Sequence, residues 1–353
     1  MRLTVELIKH AAAGPGTKLP PISGLLSITR ALYKAPIHRS ITIAMSKPPP
    51  PGVYVPAVIF FDEKEELDFA SIKTHLLRLA KGGLTGILVQ GSNGEAQHLS
   101  RDERKEVVKF TRDTLDEHGF QNIVVIAGTG ALSTREAKLF CADAAEAGAS
   151  HCLVLTPSVW PPYMTRERII QYHREVADAS PIPTMVYNIP VVTAGINLDS
   201  SIVIELSSHP NIVGTKLSCG DIGKLHRVTI ATKIEEFVVF TGKSDVFAQS
   251  LFSGSAGVIG SLVNIAPKTH VRLWNLYKEG KVAEALEIQR VLGPADYAIS
   301  RNGVIGGVKA VVNREFGYGS NRVREPLGIP DTKFLSGSEY DVFKAVAELE
   351  RSL

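Results

Sequence analysis

Residues 184–218 read TMVYNIPVVTAGINLDSSIVIELSSHPNIVGTKLS. Two short runs rich in β-branched and aromatic residues, 184–188 and 212–217, enclose a segment in which Asp199 stands as a cap before the helical stretch 200–208. Both runs are apolar on successive residues, as expected of parallel strands covered on both faces. The segment therefore reads as one strand–helix–strand unit.

The same unit recurs outward in both directions. Strands are expected at 53–61, 86–91, 123–128, 151–156, 184–188, 212–217, 237–241 and 257–260. Helix starts lie between them: Ser100 with Glu103 before Val107, Val108 and Phe110, Ser133 with Glu136 before Ala137 and Phe140, and Thr165 before Ile169, Ile170 and Tyr172. Strand starts fall roughly 20 to 37 residues apart, a spacing that holds a strand, a loop, a helix and a return loop, so the α/β pattern predicts a (β/α)8 TIM barrel. After Pro267 the period is helical throughout, predicting the eighth barrel helix and then a C-terminal helical appendage from about residue 281. No Gly/Ser-rich linker separates barrel from appendage, which argues for one domain over 53–353.

The chain of 353 residues is 44% apolar and 21% charged, enough for a large core, and it holds no apolar run long enough to span a bilayer. A net charge of +3 gives no general nucleic-acid footprint. The three cysteines, Cys141, Cys152 and Cys219, form no C-x-x-C pair, which argues against a disulfide framework or a thiolate zinc site and for an intracellular setting. Charge is uneven: residues 1–52 carry seven basic side chains and one acid. This extension reads either as a transit peptide, placing the protein in the mitochondrion rather than the cytoplasm, or as a stretch upstream of a start at Met45.

In such a barrel, chemistry belongs to the carboxyl ends of the strands. After the second strand comes Gly91-Ser92-Asn93-Gly94-Glu95, a glycine-framed turn that reads as an anion cradle or as an ordinary βα turn, with Glu95 in a structural role. Tyr187 ends the fifth strand before Pro190 and is either a proton relay or a core tyrosine. Lys216 is the most unusual residue, because a lysine inside an apolar strand is desolvated, and desolvation favours the neutral amine that attacks carbonyls to form a Schiff base. The competing reading ends that strand at Thr215 and leaves Lys216 in solvent. Lys243 ranks second as a nucleophile because Asp245 can pair with it. Gly128-Thr129-Gly130 lacks the third glycine of a dinucleotide fingerprint, residues 253–257 fail the G-x-S-x-G pattern, and none of the ten histidines forms H-E-x-x-H. These observations predict neither a metal nor a cofactor.

Taken together and in this order, Gly91-Ser92-Asn93-Gly94-Glu95, Tyr187-Asn188-Ile189-Pro190 and Gly214-Thr215-Lys216 resemble the dihydrodipicolinate synthase/N-acetylneuraminate lyase family of class I aldolases. Residues 89–95 and 209–214 are most similar to the 4-hydroxy-2-oxoglutarate aldolase branch. The resemblance implies that Lys216 forms an imine with a 2-oxo acid, that Tyr187 transfers the proton, that Ser92 and Asn93 hold the carboxylate, and that Ser218 and Gly242 contact the substrate. It also implies reversible cleavage of a 4-hydroxy-2-oxo acid to pyruvate and an aldehyde, and a homotetramer. Val192 stands where synthases carry an arginine, so synthase activity is the third choice, behind cleavage of a 2-keto-3-deoxy sugar acid. Thr156-Pro157-Ser158-Val159-Trp160 lacks the family's second relay tyrosine, leaving Tyr163 as its only nearby counterpart. A catalytically silent barrel that binds a 2-oxo acid is the reading from another class.

Overall fold

The computed structural model describes residues 46–353, so the basic leader through residue 45 lies outside the described residues. Eight strands, β1 (Gly52–Pro56), β2 (Gly86–Val89), β3 (Val124–Gly128), β4 (His151–Leu155), β5 (Thr184–Asn188), β6 (Ile212–Leu217), β7 (Val238–Thr241) and β8 (Gly257–Ile259), form a closed barrel in chain order. Every neighbouring pair is parallel, and β8 returns to β1. One helix follows each strand: α1 (Phe69–Lys81), α2 (Arg101–Glu117), α3 (Thr134–Glu146), α4 (Arg166–Ala179), α5 (Ser200–Leu206), α6 (Ile222–Ala231), α7 (Phe247–Phe252) and α8 (Pro267–Lys278). The expected TIM barrel is the observed architecture.

Local chemistry sets the helix starts. Ser100 and Glu103 form a reciprocal capping box on α2, Ser133 accepts from the Glu136 N–H, and Asp199 accepts from the Ser201 N–H. The first strand is shorter than the expected 53–61. Beyond Pro56 the ladder gives way to Asn264, whose amide donates to the Pro56 carbonyl and whose Oδ1 accepts the Val58 N–H, each at 3.0 Å. Residues 46–51, placed by the sequence pattern with the extension, are tied to the barrel's amino-terminal face. There Ser46 donates through its N–H to Pro210 and through its hydroxyl to Asn211, and His151 Nε2 lies 3.1 Å from the Lys47 carbonyl.

The barrel interior is filled by Tyr54, Leu88, Ile126, Leu153, Met185, Val213, Val238, Phe240 and Ile259. Along β6 the two-residue alternation breaks. Thr184 pairs with Ile212 but Met185 pairs with Gly214, so Val213 is an extra residue, a β-bulge. Past the bulge, Lys216 is in register with Tyr187 on one side and Phe240 on the other.

Among the described residues, three further helices follow the barrel: α9 (Val282–Arg301), α10 (Ile305–Phe316) and α11 (Asp341–Ser352). The buried Glu350 of α11 accepts from the N–H groups of Lys268 and Thr269 and from the Thr269 hydroxyl, satisfying the amino end of α8. Among the described residues, no helix is long and apolar enough to cross a membrane.

Candidate active site

Lys216 is 3% exposed and lies inside a strand that runs on to Leu217, so the solvated reading fails. Its Nζ sits 4.3 Å from the centre of the Tyr187 ring, itself buried. The Ser218 hydroxyl lies 3.5 Å from the Tyr187 oxygen. Burial pushes the phenol's pKa up, yet the Lys216 charge and hydrogen bonds from Ser218, Ser92 and Lys216 outweigh it and hold it below the ordinary tyrosine value. Gly242 stands where a side chain would strike Ser218, since a Cβ there would lie 1.9 Å from its Oγ. Five of the six expected residues, Lys216, Tyr187, Ser92, Ser218 and Gly242, therefore meet at one end of the barrel.

Asn93 is placed differently. Its amide donates to the Ser261 hydroxyl at 2.5 Å, bridging the turn after β2 to the one after β8. Lys243 is half-exposed with Asp245 3.9 Å away, in contrast to the buried Lys216. Tyr163 is 64% exposed and lines a surface groove with Trp160 and Arg168 rather than the space beside Tyr187.

A cavity of about 440 Å³ opens beside Tyr187 and Ser92. Its walls include Leu132, Leu155, Val159 and Val192. Ile305 and Leu327 of the C-terminal appendage also line it, a contribution that strand periodicity does not reveal. Arg104 borders the cavity, but its guanidinium is committed to the carbonyls of Ala96 and Gly128 at 2.7 Å each and packs on Phe140. Burial brings its pKa down to about 10. Thr156, also on the wall, pairs with His173 at 3.0 Å; burial pulls that imidazole down to about 3 and keeps it neutral. Among the described residues, no three His, Cys, Asp or Glu side chains converge as a metal site.

The fold is a (β/α)8 barrel with a buried lysine and a buried tyrosine side by side at the carboxyl ends of adjacent strands, the face on which barrel enzymes carry their chemistry. The chain belongs to the dihydrodipicolinate synthetase family, whose model matches residues 49–338. It is 44% identical over 308 residues to a protein of Emericella nidulans named "Probable 4-hydroxy-2-oxoglutarate aldolase, mitochondrial", covering 87% of this chain and 98% of that one. It is 40% identical to the L-threo-3-deoxy-hexylosonate aldolase of Hypocrea jecorina, over 86% of this chain and 98% of that one. Among solved structures, a dihydrodipicolinate synthase family protein from Coccidioides immitis superposes with a TM-score of 0.75 at 34% identity, covering 86% of this chain and 98% of that one. YagE from E. coli K12, solved in complex with pyruvate, superposes with a TM-score of 0.75 at 26% identity and the same coverage. The protein is a lyase of the aldolase class within this family.

Proposed function

We propose that the enzyme cleaves a 4-hydroxy-2-oxo acid, such as 4-hydroxy-2-oxoglutarate, to pyruvate and an aldehyde through an imine on Lys216. The observation that carries this reading is the buried Lys216 Nζ against the Tyr187 ring. Lys216 Nζ, as the neutral amine, adds to the C2 carbonyl, and the oxygen leaves as water with a proton supplied by Tyr187, giving a protonated imine beside a phenolate. Tyr187 takes the proton of the C4 hydroxyl, the C3–C4 bond breaks, and its electrons flow into the imine as an enamine while the aldehyde departs. Protonation at C3 and hydrolysis release pyruvate and restore the amine. The backbone N–H groups of Ser92 and Asn93 receive the carboxylate, with Ser218 and Gly242 against the bound oxo acid. This route draws on no metal or cofactor.

The 44% relative supports 4-hydroxy-2-oxoglutarate as substrate, and the 40% relative supports a 2-keto-3-deoxy sugar acid as the second reading. Val192 at the cavity wall supplies no positive charge for a second carboxylate, which disfavours the synthase reaction. The exposed Trp160, Tyr163 and Val191 support association of copies of this chain, the tetramer of the resemblance. The basic leader and the mitochondrial name of the E. nidulans relative support a mitochondrial destination.

Borohydride reduction in the presence of pyruvate, with peptide mass mapping, tests the mechanism. An adduct on Lys216 is expected. An adduct on Lys243 instead would reassign the nucleophile, and no adduct with any 2-oxo acid would overturn the aldolase mechanism in favour of a silent binding barrel. Product analysis with 4-hydroxy-2-oxoglutarate beside a 2-keto-3-deoxy sugar acid separates the two substrate readings.

A further inference from the structure

Glu95 closes the turn that carries Ser92 and Asn93, in a left-handed conformation with φ 50°. Its carboxylate has no solvent exposure and is held at both oxygens by the C-terminal appendage. Lys309 of α10, equally buried, donates to Oε1 at 2.5 Å, and the Arg324 N–H donates to Oε2 at 2.9 Å. Lys309 also donates to the Arg322 carbonyl at 2.6 Å. The Arg324 guanidinium forks onto Glu103 of α2 and donates to the His98 carbonyl, and both cations lie over the Phe61 ring. Burial pulls the Lys309 ammonium below the usual lysine range, against the opposing pull of Glu95.

Two features tie this network to the site rather than to fold stability alone. The turn's own backbone hydrogen bonds run from the N–H groups of Gly94, Glu95 and Ala96, so those of Ser92 and Asn93 stand outside them, as an anion cradle requires. The elements that hold Glu95 also bring Ile305 and Leu327 onto the cavity wall. A buried, doubly satisfied charge pair has essentially one geometry, whereas an apolar contact slides.

We propose that Glu95 and Lys309 are positioning residues for the substrate carboxylate: through them the C-terminal appendage sets the 91–95 turn in the form that receives the anion. This rests on the imine reading above, in which that turn binds the carboxylate. The pair touches no reacting atom, so it governs carboxylate recognition and leaves the chemistry of Lys216 in place.

The test compares borohydride trapping at Lys216 by pyruvate and by acetone, a ketone without the carboxylate. In Glu95→Gln, which keeps the side chain's shape and an acceptor for Lys309, pyruvate trapping at subsaturating concentration is expected to fall about tenfold while acetone trapping stays within about twofold. KM for the oxo acid should rise by a similar factor, with kcat within about threefold. Lys309→Met leaves a buried carboxylate unpaired and lowers the melting temperature. The double variant Glu95→Gln/Lys309→Met removes both charges and is expected to regain that stability without regaining the pyruvate preference. Pyruvate and acetone trapping that fall together, or a preference that survives in Glu95→Gln, would overturn the positioning role while the imine reading stands. A wild-type enzyme trapped by neither ketone would overturn the imine reading itself.

Discussion

Tyr187 and Lys216 stand opposite one another on β5 and β6, in register across the ladder, with Lys216 Nζ 4.3 Å from the centre of the phenol ring. Two side chains held this way on adjacent strands have a fixed spacing, which the proposed imine route requires of an amine and its proton acceptor. Tyr187→Phe retains the ring and removes only the hydroxyl. It is expected to lower kcat by about 10²–10⁴ while leaving pyruvate trapping at Lys216 intact, as single-turnover cleavage and mass mapping would show. Unchanged turnover would remove the acid–base role.

Lys216 is a buried lysine with no carboxylate partner among the described residues. Lys216→Met keeps an unbranched side chain of similar length in the same apolar setting and removes the amine. Lyase activity and imine trapping should vanish while the unfolding free energy in a denaturant titration stays at or above that of the wild type. A variant that is both inactive and destabilised would mean that Lys216 holds the strand together.

Gly214 follows the bulge that re-aims β6. A Cβ there would meet the Val238 carbonyl at 2.7 Å and the Val238 side chain at 2.8 Å. Gly214→Val is therefore expected to cost about 1–3 kcal/mol by overpacking and to reduce imine trapping beyond its effect on the folded fraction. Trapping that tracks the folded fraction alone would show that the bulge does not aim the lysine.

The Ser218 hydroxyl is one of the groups that hold the Tyr187 phenol below its ordinary pKa. Removing it in Ser218→Ala, or displacing it with the side chain of Gly242→Ala, raises that value. The limb of the kcat profile that reports phenol ionisation should then move to higher pH in both variants. A limb that stays in place would dissociate it from Tyr187.

Asp296 of α9 is buried, accepts the Asp245 N–H at 3.3 Å, and has its carboxyl pushed up to about 7 by burial and by the neighbouring Asp245 charge. Its folded value lies above its unfolded one, so the native state holds the extra proton between them. Its contribution is fully present below about pH 4 and is lost as pH rises through 7. Asp296→Asn should match the wild type near pH 4 and exceed it by about 2–4 kcal/mol at pH 8 in denaturant titrations. Equal stability at pH 8 would place Asp296 in a hydrated setting.

Much of this was legible along the chain. The eight strands, the caps at Ser100, Ser133, Thr165 and Asp199, and the helices after Pro267 follow from local periodicity and local hydrogen bonding, which involve residues close in sequence. The glycine-framed turn, the phenol and the strand lysine were visible for the same reason. Their meeting was not. Strict alternation from the inward-facing Val213 turns Thr215 and Leu217 into the barrel and Lys216 toward the helices; the bulge reverses this. The Asn93–Ser261 bond, the Glu95–Lys309 pair and the wall built by Ile305 and Leu327 join residues far apart in sequence. Those contacts depend on how the barrel closes and where the appendage docks, and long-range register is set by packing that no local pattern encodes.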